Sequence, residues 1–306
     1  MAGITVIVGA GKTGLSCARY LVRHGVPFCV MDRDTSHEKL ASLLAVAPGA
    51  SLSAIDEDAL VAAGEIILSP GVPLATPEIA RAVAKGVPVT GDIAMFTRLT
   101  QKPVVAITGS NGKSTVTALV GEMARAAGIN AGVGGNIGIP CLDLLDQGYD
   151  AFVLEVSSYQ LEVAEQLSAD VAAVLNLSPD HMDRYDSASS YFATKAKIYR
   201  GCRVAVVSRQ VDYDFDLAGA EQVLTFGLDV PNGGDDFGIR YVDGEAWLAR
   251  GERTLLKASA LKILGAHNLS NALAALAIGS ALGVPEPGMI RGLINFEGLR
   301  HRCELV

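Results

Sequence analysis

The chain lacks a long apolar run: its longest, Ala272 to Val284, is broken by Gly279, Ser280 and Gly283 and is too short to span a bilayer. It also lacks a basic excess. Lys and Arg number 25 against 33 Asp and Glu, for a net charge of −8 and no basic block, which argues against a nucleic-acid or anionic-membrane surface. No basic segment precedes the first apolar run, Ile4 to Val8, so the N-terminus does not read as a signal peptide. Cysteine pairing patterns are missing too: Cys17, Cys29, Cys141, Cys202 and Cys303 are scattered, odd in number and without CxxC spacing. Buried thiols in a reducing cytosol explain them better than a disulfide framework or a zinc site. Aromatics are scarce at 6%, whereas glycines number 33 of 306, a mixture suiting an α/β protein with glycine-rich ligand loops better than a β-sandwich.

What is present is ample core material, 50% hydrophobic residues, on a length that suggests two domains. Apolar runs of strand length alternate with amphipathic stretches, the pattern of βα units and a parallel sheet. Strands are expected at Ile4–Val8, Phe28–Met31 and Ile66–Leu68, with helices at Gly14–Arg23, Glu38–Ala45 and Glu78–Lys85. A second series comprises strands at Val104–Thr108, Phe152–Val156, Val171–Leu177 and Val204–Val207, separated by helices such as Val116–Ala127 and Ser190–Tyr199. From about Leu224 to Leu256, short alternating runs between Gly/Asp turns (Gly238–Val242, Glu245–Ala249) predict antiparallel hairpins. Two packed helices follow, at Ala266–Gly283 and Pro287–Ile294, and Cys303 to Val306 reads as the opening of a new strand, so the chain is expected to stop short of a further domain.

Two loops carry chemistry. Gly9-Ala10-Gly11-Lys12-Thr13-Gly14 follows a strand and opens a helix, matching G-x-G-x-x-G, and Asp32 at the end of the next strand stands where a ribose- or base-binding carboxylate belongs. The helix N-terminus offers unpaired N–H groups to a diphosphate. The second loop, Thr108-Gly109-Ser110-Asn111-Gly112-Lys113-Ser114-Thr115, ends in the Gly-Lys-Ser of a P-loop in its short form, since a strict match needs glycine where Ile107 stands. Its backbone N–H groups would cradle phosphates, with Lys113 on the β/γ oxygens and Ser114 able to ligate Mg²⁺. The expected fold is α/β: a Rossmann-like doubly wound parallel sheet over residues 1–91, then a P-loop mononucleotide-binding α/β/α central domain with a small antiparallel sheet over 92–299, and the start of a linker at 300–306.

The ordered motifs make the chain resemble the Mur ligases. Besides the two loops they are Ser69-Pro70-Gly71-Val72, Gly91-Asp92-Ile93, Gly134-Gly135-Asn136-Ile137-Gly138 and Glu155-Val156-Ser157-Ser158-Tyr159-Gln160-Leu161. Asp180-His181-Met182-Asp183-Arg184-Tyr185, Lys195, His267-Asn268 with Asn271-Ala272-Leu273, and Gly298-Leu299-Arg300-His301-Arg302 complete the series. Two departures stand out: Arg300 replaces the family's usual proline, and Arg33 and Asp34 differ from the residues expected beside a uracil ring.

The resemblance implies an ATP-dependent ligase of peptidoglycan precursor synthesis in the bacterial cytoplasm, with UDP-N-acetylmuramoyl-L-alanine and D-glutamate as substrates and an acyl phosphate between them. The family's third domain is expected to be absent, so the chain would bind but turn over poorly or not at all. A monomer without nucleic-acid or membrane partners is expected. The resemblance puts ATP on Gly109 to Thr115, with Asn268 and Asn271 at the adenine and Arg302 at the phosphates. Two Mg²⁺ sites would draw on Ser114, Glu155, His181 and Lys195, the last carbamylated by CO₂, because an ammonium beside Mg²⁺ would be repelled. Lys113, Glu155, His181 and Lys195 are thus the expected catalytic set. The sugar nucleotide would meet Thr13, Gly14, Asp32, Ser69, Gly71, Asn136, Ser157 and Gln160. On composition alone Lys195 and Lys197 form an exposed helix face. A competing class, an NAD(P)-dependent oxidoreductase on the first loop and Asp32, leaves the P-loop, Glu155, His181 and Lys195 unexplained. A folate-polyglutamylating relative also stays open.

Overall fold

The structure, a computed structural model, describes residues 3–299; Arg300, Arg302, Cys303 and the linker expected at 300–306 lie outside them. The chain forms two compact units. The first holds residues up to Leu99 together with Ile139–Leu145 and Ser158–Glu165; the second holds the rest.

The first unit alternates β1 (Thr5–Val8), α1 (Lys12–Arg23), β2 (Phe28–Met31), α2 (His37–Val46), β3 (Leu52–Ser53), α3 (Glu57–Val61), β4 (Glu65–Leu68), α4 (Pro77–Ala84), β5 (Val89–Thr90) and α5 (Asp92–Leu99). The strands form one sheet in the order β3-β2-β1-β4-β5, every neighbouring pair parallel. The order reverses at β1, and the crevice between the carboxyl ends of β1 and β4 is where open α/β sheets bind ligands. Val6, Val8, Ile66 and Leu68 from these central strands are buried with Leu60 and Ile79. β3 and β5 went unread because two paired residues leave no periodicity to detect.

The second unit opens with β6 (Val104–Thr108), α6 (Lys113–Ala126) and β7 (Ala131–Gly135). The chain then contributes α7 (Cys141–Leu144) to the first unit, returns as β8 (Ala151–Glu155), contributes α8 (Ser158–Glu162) to the first unit, and returns as β9 (Val171–Val174). Next come α9 (Ala188–Ala196), β10 (Val204–Ser208), β11 (Gln222–Phe226), β12 (Asp236–Val242), β13 (Glu245–Arg250), β14 (Arg253–Lys257), α10 (Ala266–Ala281) and α11 (Glu286–Asn295). All nine strands join one sheet, β14-β13-β12-β11-β10-β9-β6-β8-β7. The antiparallel hairpins β12–β13–β14 therefore continue the edge of the main sheet, and β11, which falls in the stretch expected to be antiparallel, pairs parallel with both β10 and β12. β6, β8 and β9 are buried along their whole length, as a parallel sheet covered on both faces requires. Ala272 to Ile278 of α10, the heart of the longest apolar run, lie in the core beside Val116, Val120 and Met123 of α6. No helix among the described residues is long and apolar enough to cross a membrane.

Domain boundaries read from the sequence as single cuts meet a more interlaced chain. Helix α5, placed after the expected boundary at 91, clusters with the first unit, where buried Asp92 accepts hydrogen bonds from Gln160 Nε2 (3.2 and 3.0 Å) and the Cys141 thiol (3.6 Å). One carboxylate thus secures both excursions that return from later in the sequence.

Candidate active site

The two helices that follow glycine loops, α1 and α6, start behind Gly11 and Gly112 and carry no side-chain cap, as do α4, α7, α10 and α11, whereas α2, α3 and α9 are capped by the side chains of Ser36, Asp56 and Ser187. A helix N-terminus set behind a glycine loop turns the positive end of its dipole toward that loop, a placement that favours an anion there.

In the first unit the glycine loop is built by close approach. A Cβ on Gly14 would run into the Gly9 carbonyl oxygen, and the Ser69 hydroxyl donates to that same oxygen at 3.0 Å. Ser69, Gly9 and Gly14 thus meet at the β1/β4 crevice, with Thr13 on the first turn of α1 and Gly71 exposed beyond β4. Asp32 Oδ2 accepts from the Ala10 N–H (2.6 Å) and from Lys39 Nζ (3.0 Å), and Oδ1 accepts from the Asp34 N–H (3.0 Å). Burial alone would raise this carboxyl, but those donors outweigh it and hold its pKa below the ordinary value. Asp32 therefore secures the glycine loop itself. That is a use which neither a ribose-binding nor a base-binding assignment from sequence anticipated.

In the second unit, β6 lies between β8 and β9, so the P-loop emerges at a switch point in strand order. Gly112 sits at φ +81°, and a Cβ there would strike Asn271 Oδ1. Lys113 Nζ folds back to donate to the carbonyls of Gly109 (2.8 Å) and Ser110 (3.1 Å). Behind the loop, Glu155 ends β8 and is 2% exposed. Its Oε2 accepts from the Ser114 hydroxyl (2.7 Å) and its Oε1 from Asn136 Nδ2 (2.8 Å). Asn136 is placed by Gly135, whose φ of +100° and lack of a Cβ let the chain press onto the Glu155 carbonyl. A hydroxyl and an amide thereby converge on one buried carboxylate, and the hard oxygens of Ser114 and Glu155 fit Mg²⁺ better than a soft metal.

Lys195, which composition alone would put on an exposed face and the resemblance puts in the catalytic set, is 1% exposed. The structure turns it inward, where Nζ donates to Gly109 O (2.9 Å) and Thr108 Oγ1 (3.4 Å) and lies 4.7 Å from the centroid of the Tyr191 ring. Burial first, and the Lys113 ammonium second, lower its pKa from 10.5 to about 7, against the opposing pull of Asp180 and Glu155. Composition alone does not reveal this burial because α9 has no strong apolar stripe to show which face is buried. His181 is solvent-exposed at φ +54°, a left-handed conformation unusual for a non-glycine residue, and its ring meets Tyr191 edge-on at 6.3 Å.

Asn268 and Asn271, expected on one face of α10, are both buried, and Asn271 Nδ2 donates to Asn268 Oδ1 (3.2 Å). With Asn111, Gly112, Thr115, Asn176, His267 and Ser270 they line a cleft of about 450 Å³ beside the P-loop. Asn176 and Ser270 were not singled out from sequence, and His267 stood there only as part of the His267-Asn268 motif, with no role of its own. Of the residues expected at the sugar nucleotide, Thr13, Gly14, Asp32, Ser69, Gly71 and Gln160 belong to the first unit, and Asn136 and Ser157 to the second. Gln160 is engaged with Asp92, and Asn136 with Glu155.

The sequence matches the Mur ligase middle domain over residues 107–279 and the MurD-like N-terminal domain of Mur ligases over residues 4–91. The chain belongs to the Mur ligase family. Its relatives include the UDP-N-acetylmuramoylalanine--D-glutamate ligase of Pseudomonas aeruginosa, 48% identical over 304 residues that cover 98% of this chain and 68% of that protein. The enzyme of the same name from Marinobacter nauticus is 48% identical over 305 residues, covering 99% of this chain and 68% of its own. Among solved structures, the fold is similar to UDP-N-acetylmuramate:L-alanyl-gamma-D-glutamyl-meso-diaminopimelate ligase from Neisseria meningitides. That match has a TM-score of 0.63 at 17% identity, covering 98% of this chain and 99% of that one. UDP-N-acetylmuramate-alanine ligase from Thermotoga maritima gives a TM-score of 0.58 at 23% identity, over 97% of this chain and 69% of that one.

Proposed function

We propose that the chain is an ATP-dependent acid–amino-acid ligase of peptidoglycan precursor synthesis, acting in the bacterial cytoplasm. It joins D-glutamate to UDP-N-acetylmuramoyl-L-alanine and releases ADP and phosphate. The observation that carries this reading is the string Asn136–Glu155–Ser114, whose central carboxylate and P-loop serine are buried, in a chain that belongs to the Mur ligase family.

Amide formation from a carboxylate is uphill in water, so the substrate acid is first phosphorylated by ATP and the amine of D-glutamate then displaces phosphate. Transfer between two anions needs alignment and charge neutralisation above all. Lys113 exchanges the Gly109 and Ser110 carbonyls for β/γ-phosphate oxygens, while the N-terminus of α6 turns the positive end of its dipole toward the same phosphates. Ser114 and Glu155 hold Mg²⁺, which when bound supplies charge neutralisation at the phosphates. His181 and Lys195 hold a second ion. Lys195 does so as a carbamate: with its pKa near neutrality a large fraction is free amine, able to attack CO₂ with loss of a proton to give an anionic oxygen donor. Asn268 and Asn271 read the adenine edge from the adjoining cleft. The uridine diphosphate end lies on Thr13, Gly14, Ser69 and Gly71, with Asp32 shaping the loop; a UDP moiety presents the same diphosphate to G-x-G-x-x-G as a dinucleotide does.

Calorimetric titration with UDP-N-acetylmuramoyl-L-alanine tests the reading. Saturable binding that UDP competes away and NADH does not is expected. Saturable NADH binding indifferent to UDP would replace it with the oxidoreductase class.

A further inference from the structure

Strand β9 stops at Val174, short of the Leu177 that its apolar character predicts, and the reason is a change of partner. Beyond Leu175, whose N–H still pairs with Thr108 O at 2.9 Å, the backbone and side chains turn to the P-loop. Asn176 uses both ends of its amide on one residue of that loop. Its Oδ1 accepts from the Asn111 N–H (2.8 Å) and its Nδ2 donates to the Asn111 carbonyl (2.9 Å). Its own carbonyl accepts from the Ser110 N–H (3.1 Å). Two residues on, the Ser110 hydroxyl donates to Ser178 O (2.8 Å) and accepts from the Ser178 N–H (2.9 Å). The P-loop is therefore fastened at Ser110 and Asn111, just before Gly112, to a segment outside it, although Asn111 itself is exposed.

We propose that Asn176 is a positioning residue for the phosphate loop: its paired amide contacts fix the Asn111 peptide groups, and so the direction in which the loop's N–H groups meet the β and γ phosphates. A side chain that satisfies N–H and C=O of the same residue mimics a strand partner, and replacing it frees that residue to rotate. The free loop of a P-loop protein would pay for ordering when phosphate binds; here the order is built in before the ligand arrives. This rests on the reading that a triphosphate occupies the loop. It deepens it, because the same Asn176 also lines the neighbouring cleft, where a direct contact to the base or ribose is the competing role.

The two roles separate by ligand. Asn176→Ala and Asn176→Asp are compared with the unaltered chain for affinity toward ATP, ADP and adenosine, each by competition or calorimetry with Mg²⁺ fixed, and with thermal unfolding as a check on the fold. Asn176→Asp keeps the acceptor for the Asn111 N–H but sets an oxygen against its carbonyl. Loss of two backbone hydrogen bonds is expected to weaken ATP and ADP about tenfold in Asn176→Ala, and Asn176→Asp by a comparable or smaller factor, with adenosine unchanged within about twofold. Equal losses for adenosine and ATP would overturn the positioning role in favour of a direct contact, and unchanged ATP affinity in both variants would overturn it outright. Should Asn176→Ala fail to fold, Asn176→Asp decides by the same ratio. Absence of ATP binding by the unaltered chain would sink the underlying reading instead, a result distinct from the other two.

Discussion

Replacing Lys195 by methionine should change how stability depends on pH. In the folded chain the amine has its pKa lowered to about 7, chiefly by burial and by the Lys113 charge, whereas unfolding restores a value near 10.5. Between those limits the unfolded chain binds the extra proton, so stability rises with pH across that window. Below about 7 both states are protonated and the cost of the buried charge is felt in full; above 10.5 it has vanished. One proton corresponds to about 1.4 kcal/mol per pH unit, so the full span is on the order of 4–5 kcal/mol. Methionine has no charge to bury and removes this slope. It also leaves Gly109 O and Thr108 Oγ1 without the lysine donor, a pH-independent loss of roughly 1–3 kcal/mol, so the informative quantity is the slope and not the offset. Urea unfolding of both proteins from about pH 6 to pH 10 in CO₂-depleted buffer reads it. The unaltered chain should gain on Lys195→Met by about 1.4 kcal/mol per pH unit above pH 7.5, with no change in the difference below pH 6.5. Parallel curves over the whole range would refute a neutral-leaning Lys195, and with it the physical basis for its carbamylation.

Three further outcomes are expected. Gly135→Ala forces a side chain onto the Glu155 carbonyl at a φ of +100° and should destabilise by on the order of 3 kcal/mol in urea unfolding, while also loosening Asn136 from Glu155; a change below about 0.5 kcal/mol would contradict the tight approach. Burial raises the Asp92 carboxyl above its ordinary value, so folding takes up a proton and the stability this provides is lost as pH rises through the raised value; Asp92→Asn should remove that decline, which unfolding curves from pH 4 upward would reveal. Glu155→Gln should abolish the Mg²⁺ enhancement of ATP binding and leave metal-free ATP affinity within about twofold, and a retained Mg²⁺ effect in calorimetry would place the ion elsewhere.

The core of the fold was legible because buried parallel strands announce themselves. Phe28–Met31 and Val104–Thr108 match their expected bounds, since each is a continuous apolar run ended by polar residues. The glycine-rich β7, Ala131–Gly135, was noticed only as a motif: three of its five residues are glycine, and strand propensity says nothing about a segment held by close packing against β8. The two phosphate loops were visible in their glycines and lysine, and Glu155 in its place at a strand's carboxyl end. What stayed hidden was the network between segments far apart in the chain. No local signal tells that Asn176 grips Asn111, that Asp32 is occupied by the Ala10 N–H, or that Asp92 gathers Cys141 and Gln160. An amide two residues past a buried strand, opposite a glycine loop, is the one cue that could have pointed to Asn176.

The most direct measurement is calorimetric titration of ATP into the unaltered chain and into Lys113→Ala, each with and without Mg²⁺. Saturable binding strengthened by Mg²⁺ in the first, and its loss in the second with thermal stability preserved, is the predicted result. Equal ATP affinity in the two proteins would contradict the assignment of the loop around Lys113 as the triphosphate site.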